Sequence, residues 1–363
     1  MSRIDAFLKL GLAQGCSDIH LAVGVPPMLR MNGDLIPIKF RKLGDTELES
    51  YVKEILNKNL QNQFDGGEDV DFSYVSEDGG RFRVNVFRKA TGIGATFRNI
   101  PEKVPTLDDL QMPGTLAQLC DHHQGMILVT GSTGTGKSTT LAAMIDHINK
   151  TQNRNIISLE DPIEFVHESQ RSQVIQRELG THLRSFADGI RSALREDPDV
   201  ILVGEMRDAE TISMAMTASE TGHLVLGTLH TTGAAKTIDR MIDALPGEMR
   251  EQTKSFLGQS LNAVITQNLV KTPDGRGRRA VLEIMVMTRA IAKMINSDQV
   301  HQVPAQIQTG RDLGMQTMDS ALLEAIQSKQ IDPDDAYRYA TDKNAFQKFV
   351  TDTSLLPQVD MPG

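Results

Sequence analysis

Tryptophan is absent from this 363-residue chain, tyrosine occurs 4 times and cysteine twice. With so few aromatic platforms, stacking of nucleic-acid bases is a poor reading. Acidic residues outnumber basic ones, 47 to 38, for a net charge of −9. That balance disfavours non-specific binding to nucleic acid or to an anionic bilayer. Cys16 and Cys120 form no C-x-x-C pair, which argues against a thiolate zinc site, and two lone thiols suit a reducing compartment. No stretch approaches the roughly 18 apolar residues of a spanning helix. The N-terminal MSRIDAFLKLGLAQG reads as a short amphipathic helix and not as a signal peptide. These absences predict a cytosolic globular protein.

Two patterns follow one another along the chain. Residues 1–100 predict a small α/β domain. SDIHLAV (17–23) is a strand, and MLRMNGDLIPI (28–38) carries Asn32-Gly33 between two apolar runs, a hairpin signal. TELESYVKEILNKNL (46–60) predicts one helix, with Leu48, Tyr51, Val52 and Ile55 on one face. DVDFSYV (69–75), RFRVNVFRKA (81–90) and GATFRNI (94–100) are further strands. In the second of these Phe82, Val84 and Val86 alternate with Arg81, Arg83 and Asn85, the period of a half-buried antiparallel strand. Residues 101–114 hold three prolines and read as a linker.

From residue 115 to 363 the pattern is that of a second domain. GMILVTG, NIISLE, DVILVGE and HLVLGTL are almost wholly apolar, as parallel strands covered on both faces should be. Amphipathic segments lie between them: STTLAAMIDHINK, with Leu141, Met144, Ile145 and Ile148, and SFADGIRSALRE, with Phe186, Ile190 and Leu194. The alternation predicts a doubly wound α/β domain. After 233 the chain reads as mainly helical, with a hairpin over 270–286, a helical region over about 287–350 and a polar tail.

The chemistry is concentrated at the ends of those strands. GSTGTGKST fits G-x-x-x-x-G-K-[ST] between a strand and a helix. Gly131, Ser132, Thr133, Gly134, Thr135, Gly136, Lys137, Ser138 and Thr139 would therefore cradle the phosphates of a nucleotide. Lys137 would reach the β and γ phosphates, and Ser138 would ligate Mg²⁺. In DPDVILVGE, Gly204 stands where an aspartate is usual in such a strand and Glu205 follows. Glu205 is the candidate to orient or deprotonate the attacking water. LEDPIE places Glu160, Asp161 and Glu164 at another strand end. Glu160 can share the base role and Glu164 can hold Mg²⁺ through water, although acids at strand ends are common and need no such role.

Two histidines flank one apolar run in TGHLVLGTLHTT. If the run is a parallel strand, His230 stands at its C-terminal end, level with Glu205 and the phosphate loop. There an imidazole can report the γ-phosphate. His223 lies seven residues earlier, and at about 3.3 Å per residue the two cannot share a metal. His223 reads as a turn or core histidine.

The set GSTGTGKSTT, ISLEDPIEFVH, RSALREDPDVILVGEMRDAET and TGHLVLGTLHTT resembles, in order, the Walker A, Asp box, Walker B and His box of the secretion ATPase superfamily of type IV pili and type II secretion. GCSDIHLAVGVPPMLRMNGDL and LGMQTMD are similar to its pilus-retraction (PilT/PilU) branch, and the chain lacks the tetracysteine insertion often found in the assembly and secretion ATPases. The resemblance implies a PAS-like N-terminal α/β domain, a RecA-like P-loop ATPase domain with C-terminal helices, and a cytoplasmic homo-hexameric motor. That motor would use ATP and Mg²⁺ against an inner-membrane pilus platform protein, powering retraction and twitching. A paralogous retraction ATPase is a possible partner; nucleic acid and zinc are not expected. Arg83 and Arg98 match N-terminal arginines that act on the nucleotide phosphates, with Arg81 as an alternate. Residues 290–297 read AIAKMINS where the retraction branch has AIRNLIRE, and PDGRGRRAV (273–281) is similar to the PilU-like paralogue. Other readings stay open at this point: a pilus-assembly or type II secretion ATPase, a nucleic-acid translocase and a small-molecule phosphotransferase.

Overall fold

A computed structural model describes residues 2–31, 34–101 and 103–356. By its internal contacts the chain divides into two units, Met1–Lys103 with Pro162–Val166, and Val104–Asp161 with His167–Gly363. No helix among the described residues is long and apolar enough to cross a membrane.

The first unit runs α1 (Asp5–Gln14), β1 (Asp18–Ala22), β2 (Met28–Met31), β3 (Asp34–Pro37), α2 (Asp45–Lys53), α3 (Lys58–Asp65), β4 (Val70–Val75), β5 (Arg81–Lys89) and β6 (Gly92–Ile100). Its sheet has the order β3-β2-β1-β6-β5-β4 and every pairing is antiparallel. The alternation in β5 is realised: Phe82, Val84 and Val86 are fully buried, and the Phe82 ring meets Phe97 of β6 edge-on at 6.5 Å. Each such buried ring contributes about 2–3 kcal/mol. The Asn32-Gly33 turn lies outside the described residues; Met31 pairs with Asp34 across it. The single helix predicted over 46–60 is two. Asn57 ends the run because its side chain accepts from the amides of Asn59 and Leu60, capping α3 instead of continuing α2.

The second unit runs α4 (Thr115–Leu119), β7 (Gly125–Thr130), α5 (Lys137–Thr151), β8 (Asn155–Glu160), β9 (Gln173–Glu178), α6 (Phe186–Ala193), β10 (Val200–Val203), α7 (Ala209–Glu220), β11 (Leu224–Leu229), α8 (Ala234–Asp243), α9 (Arg250–Ser260), β12 (Leu261–Lys271) and β13 (Arg278–Val286). Five shorter helices close it: α10 (Arg289–Asn296), α11 (Val303–Thr309), α12 (Met318–Gln327), α13 (Pro333–Tyr339) and α14 (Lys343–Phe346). The sheet order is β13-β12-β7-β11-β10-β8-β9, parallel except for β12 with β13.

The apolar strands bury both faces, as their composition requires. Ile127, Val129, Leu202 and Leu226 pack with Leu141, Met144 and Ile148 of α5. Met126, Leu128, Ile201 and Val225 pack on the opposite face, with Ile212 of α7 and Ile238 of α8. One stretch departs from expectation. Residues 261–269 read as helical, yet they form the first part of β12, paired in parallel with β7. Ala263, Val264 and Ile265 are fully buried there. A short apolar run carries no period that separates a buried strand from a helix, so the neighbouring strand decides.

Candidate functional site

Parallel strands end at one edge, and the register sets which residues meet there. Leu229 of β11 is level with Thr130 of β7, Val203 of β10 with Gly227 of β11, and Val203 with Leu159 of β8. The residues that follow these pairs are Gly131, His230, Gly204 with Glu205, and Glu160. The second unit's predicted residues are thus gathered at the edge where open α/β sheets bind ligands.

The glycines of the phosphate-loop motif have backbone angles that disfavour other residues: φ is 144° at Gly131, 79° at Gly134 and 85° at Gly136. Helix α5 starts at Lys137 with no side-chain cap at its N-terminus. Its first amides and their positive end are left facing the loop. The Lys137 ammonium donates to the carbonyls of Gly131 at 2.9 Å and Ser132 at 3.0 Å. The Thr135 hydroxyl donates to the Ser132 carbonyl at 2.9 Å. Ser138 is exposed, as are Ser132, Thr133 and Gly134, and Thr139 is half-buried.

Gln267 of β12 is a site residue that sequence reading missed. Its side chain is buried and bonds both Thr135 and Thr140 at 2.6 Å. No motif marks it, because it lies about 130 residues downstream on the strand that read as helix.

Glu205 and His230 meet. His230 Nε2 lies 2.6 Å from Glu205 Oε1, and the Arg207 guanidinium pairs with the same oxygen. Burial raises the Glu205 carboxyl, but hydrogen bonding and charge from Arg207, with His230, outweigh it and hold the pKa below the ordinary value. Arg207 is the second residue sequence reading missed, though its place two residues past Glu205 was a readable signal. The Gly204 carbonyl accepts from the Thr228 hydroxyl at 2.5 Å, tying β10 to β11 just below the pair. A Cβ at position 204 would stand 3.1 Å from the Leu159 carbonyl oxygen and 3.3 Å from Glu160 Cα. The neighbouring strand therefore explains the glycine where an aspartate is usual. The loop after His230 is fixed as well, since the first amide of α8, at Ala234, donates to Glu283 at 2.8 Å.

Glu160 Oε1 accepts from the Ser158 hydroxyl at 2.7 Å and the Gln176 amide at 3.0 Å. His223 stands at the opposite end of β11, with Nδ1 2.8 Å from the Ala218 carbonyl oxygen.

Glu164, Arg83 and Arg98 belong to the first unit. Glu164 is exposed. Arg83 and Arg98 are direct cross-strand partners on β5 and β6. Arg98 pairs with Asp18 of β1 at 3.0 Å, and Arg30 of β2 reaches the same carboxylate at 3.9 Å. Three arginines thus lie in one row across the sheet with a single acid among them.

The donors present suit a nucleotide and a magnesium ion. Glycines with positive φ, uncapped helix amides and a buried lysine answer phosphate oxygens. No group of three or more His, Cys, Asp or Glu that could hold a metal occurs among the described residues. Mg²⁺, which keeps several waters, would instead be held by the Ser138 hydroxyl together with phosphate oxygens.

Comparison with known proteins agrees with this geometry. Residues 73–275 match the family described as Type II/IV secretion system protein. The chain is 49% identical over 319 residues to the type IV pilus retraction ATPase PilT of Pseudomonas aeruginosa, covering 88% of this chain and 92% of that one. It is 37% identical to the type IV pilus ATPase PilU of the same organism, over 94% of this chain and 89% of that one. The crystal structure of the pilus retraction motor PilT with bound ADP superposes with a TM-score of 0.88 at 39% identity, covering 94% of this chain and 98% of that one. The chain belongs to the type II/IV secretion ATPase family, among its pilus-retraction ATPases.

Proposed function

We propose that this chain is the subunit of a homo-hexameric, ATP-hydrolysing motor that powers type IV pilus retraction and twitching. It would work at the cytoplasmic face of the inner membrane, against a pilus platform protein. The observation that carries this reading is the Glu205–His230 contact of 2.6 Å at the same sheet edge as the phosphate loop. In this reading Lys137 and the loop amides hold the phosphates and Ser138 holds Mg²⁺. The ionised Glu205 orients the attacking water and takes its proton, with Glu160 as a supporting acid. His230 contacts Glu205 on one side and reports the γ-phosphate on the other, so loss of that phosphate alters the pair.

Further parts of the reading concern the rest of the chain. A cavity of about 920 Å³ beside the start of α5 is lined by Gly136, Thr139, Leu269, Arg279 and Lys329 among others. It would take the base and sugar. Arg83 and Arg98 would act on the phosphates from the N-terminal domain, and Glu164 would reach Mg²⁺ through water. A cross-strand pair of arginines is repulsive by itself, and an anionic ligand answers both. Greater identity to PilT than to PilU, 49% against 37%, favours the PilT-like role. In α10, Ile291 and Ile295 are buried; Asn296 at its end and Ser297 just after it, where the branch pattern has arginine and glutamate, are exposed, and Ala292, where it has the other arginine, is half-buried. The two exposed departures leave the helix packing alone and would alter a docking face.

The experiment is ATPase rate per subunit against protein concentration, from nanomolar to micromolar, with sizing at each point. A steep climb to a plateau as the ring assembles is expected. A monomer with full specific activity would overturn the ring, and a Lys137→Ala protein with normal turnover would overturn the site.

A further inference from the structure

Gln267 lies on β12 next to Thr266, whose hydroxyl meets that of Thr130 at 2.9 Å. Its side chain is 1% exposed and bonded at both ends. Nε2 donates to the Thr135 carbonyl at 2.6 Å, and Oε1 accepts from the Thr140 hydroxyl at 2.6 Å. A carbonyl only accepts, so the amide nitrogen must face Thr135; the flipped amide would set two oxygens together. The Thr135 carbonyl therefore fixes how the amide points, and the Thr140 hydroxyl, in the first turn of α5, anchors its other end. The amide in turn fixes the peptide that joins Thr135 to Gly136.

That peptide is planar and trans, so its N–H points opposite to its carbonyl. With the carbonyl tied to Gln267, the Gly136 N–H faces the other way and donates to no group among the described residues. The loop glycines make room for the arrangement. A Cβ on Gly136 would stand 2.9 Å from Gln267 Nε2, and one on Gly131 would stand 2.5 Å from the Gln267 carbonyl oxygen.

We propose that Gln267 is the positioning residue of the phosphate loop. It holds the peptide between Thr135 and Gly136 with its N–H turned out as a donor to nucleotide phosphate. Its role lies in binding, common to ADP and ATP, and not in the chemical step. The proposal rests on the phosphate-loop reading given above.

The test is ADP affinity by titration calorimetry on the full chain. Gln267→Leu and Gln267→Met each remove both bonds, the second with less change of shape. Each is expected to weaken ADP binding about ten- to a hundredfold, because a buried carbonyl is orphaned and the Gly136 amide is freed. KM for ATP should rise by a similar factor while kcat at saturation stays within about threefold. Thr140→Val is nearly isosteric and removes the anchor on Oε1, so the amide holds the Thr135 peptide less firmly; it should weaken ADP severalfold, and it decides the matter where a Gln267 variant does not fold. Unchanged ADP affinity in Thr140→Val and in a folded Gln267 variant overturns the proposal. So does a lower melting temperature at unchanged affinity, which packing alone would give, or a fall in kcat at unchanged affinity. Lys137→Ala is the control: if it binds ADP normally, the phosphate-loop reading has failed and not the assignment of Gln267.

Discussion

His230 Nε2 and Glu205 Oε1 lie 2.6 Å apart, joining the end of β11 to the end of β10. The contact places one acid and one imidazole as a unit beside the phosphate loop. Glu205→Gln keeps the shape and removes the charge. It should bind ATP normally and lower kcat about 10²–10⁴-fold, the usual worth of a positioned general base. Turnover and nucleotide binding measured on one preparation check this, and retained kcat would move the base role to Glu160 or Glu164.

Acid should stop the enzyme only well below neutrality. Glu205 is held ionised by Arg207 and His230, so its pKa lies below the ordinary glutamate value, about 4.3. Turnover carried by the carboxylate is present above that depressed pKa and lost as pH falls through it. The stability that comes with the depressed pKa has the same sign but is fully present only above the ordinary, unfolded-state value, and it is lost as pH falls from there through the folded pKa. Arg207→Ala leaves burial with less opposition, so the acid limb of kcat should move to higher pH. An unmoved limb in the pH–rate profile would detach Glu205 from the rate.

Arg83 and Arg98 face each other across β5 and β6, but their surroundings differ. Arg83→Ala removes a like-charge neighbour and should leave stability equal or higher, by up to about 1 kcal/mol. Arg98→Ala strips its nearest cation from Asp18, whose side chain is 7% exposed, and should cost about 1–2 kcal/mol. Both should lower ATP turnover at least about tenfold if they act on the phosphates. Thermal melts beside ATPase rates separate the effects; unchanged turnover in both would leave the arginines as sheet-surface charges.

Gly204→Asp would restore the residue usual in such strands and should fail. The new Cβ would press on the Leu159 carbonyl and Glu160 Cα at 3.1 and 3.3 Å. Crowding of this kind costs about 1–3 kcal/mol, and it would shift both Glu205 and Glu160. A lower melting temperature with reduced kcat is the expected result. Normal stability would mean that the β8–β10 contact yields easily.

Much of the nucleotide site was legible in the residues themselves, because its parts are local. A lysine and serine after spaced glycines, with an apolar strand before and an amphipathic helix after, specify a phosphate loop in one short stretch. The apolar runs gave the buried strands, and the alternation in 81–90 gave a half-exposed one. The helix break at Asn57 was local too, but a side-chain cap competes with helix periodicity and the period alone does not reveal it.

What the tertiary structure decided is everything that depends on register between distant strands. The sequence determines that His230 ends an apolar run; only the parallel pairing of β11 with β10 brings it to Glu205. It determines that Gly204 replaces an aspartate; only the backbone of β8 explains why. Residues 261–269 become a strand because β7 offers them an unpaired edge, and with that strand comes Gln267, bonded to a loop far behind it in the chain. Strand pairing is non-local, and a run buried on both faces leaves no periodic mark of which neighbour it will have.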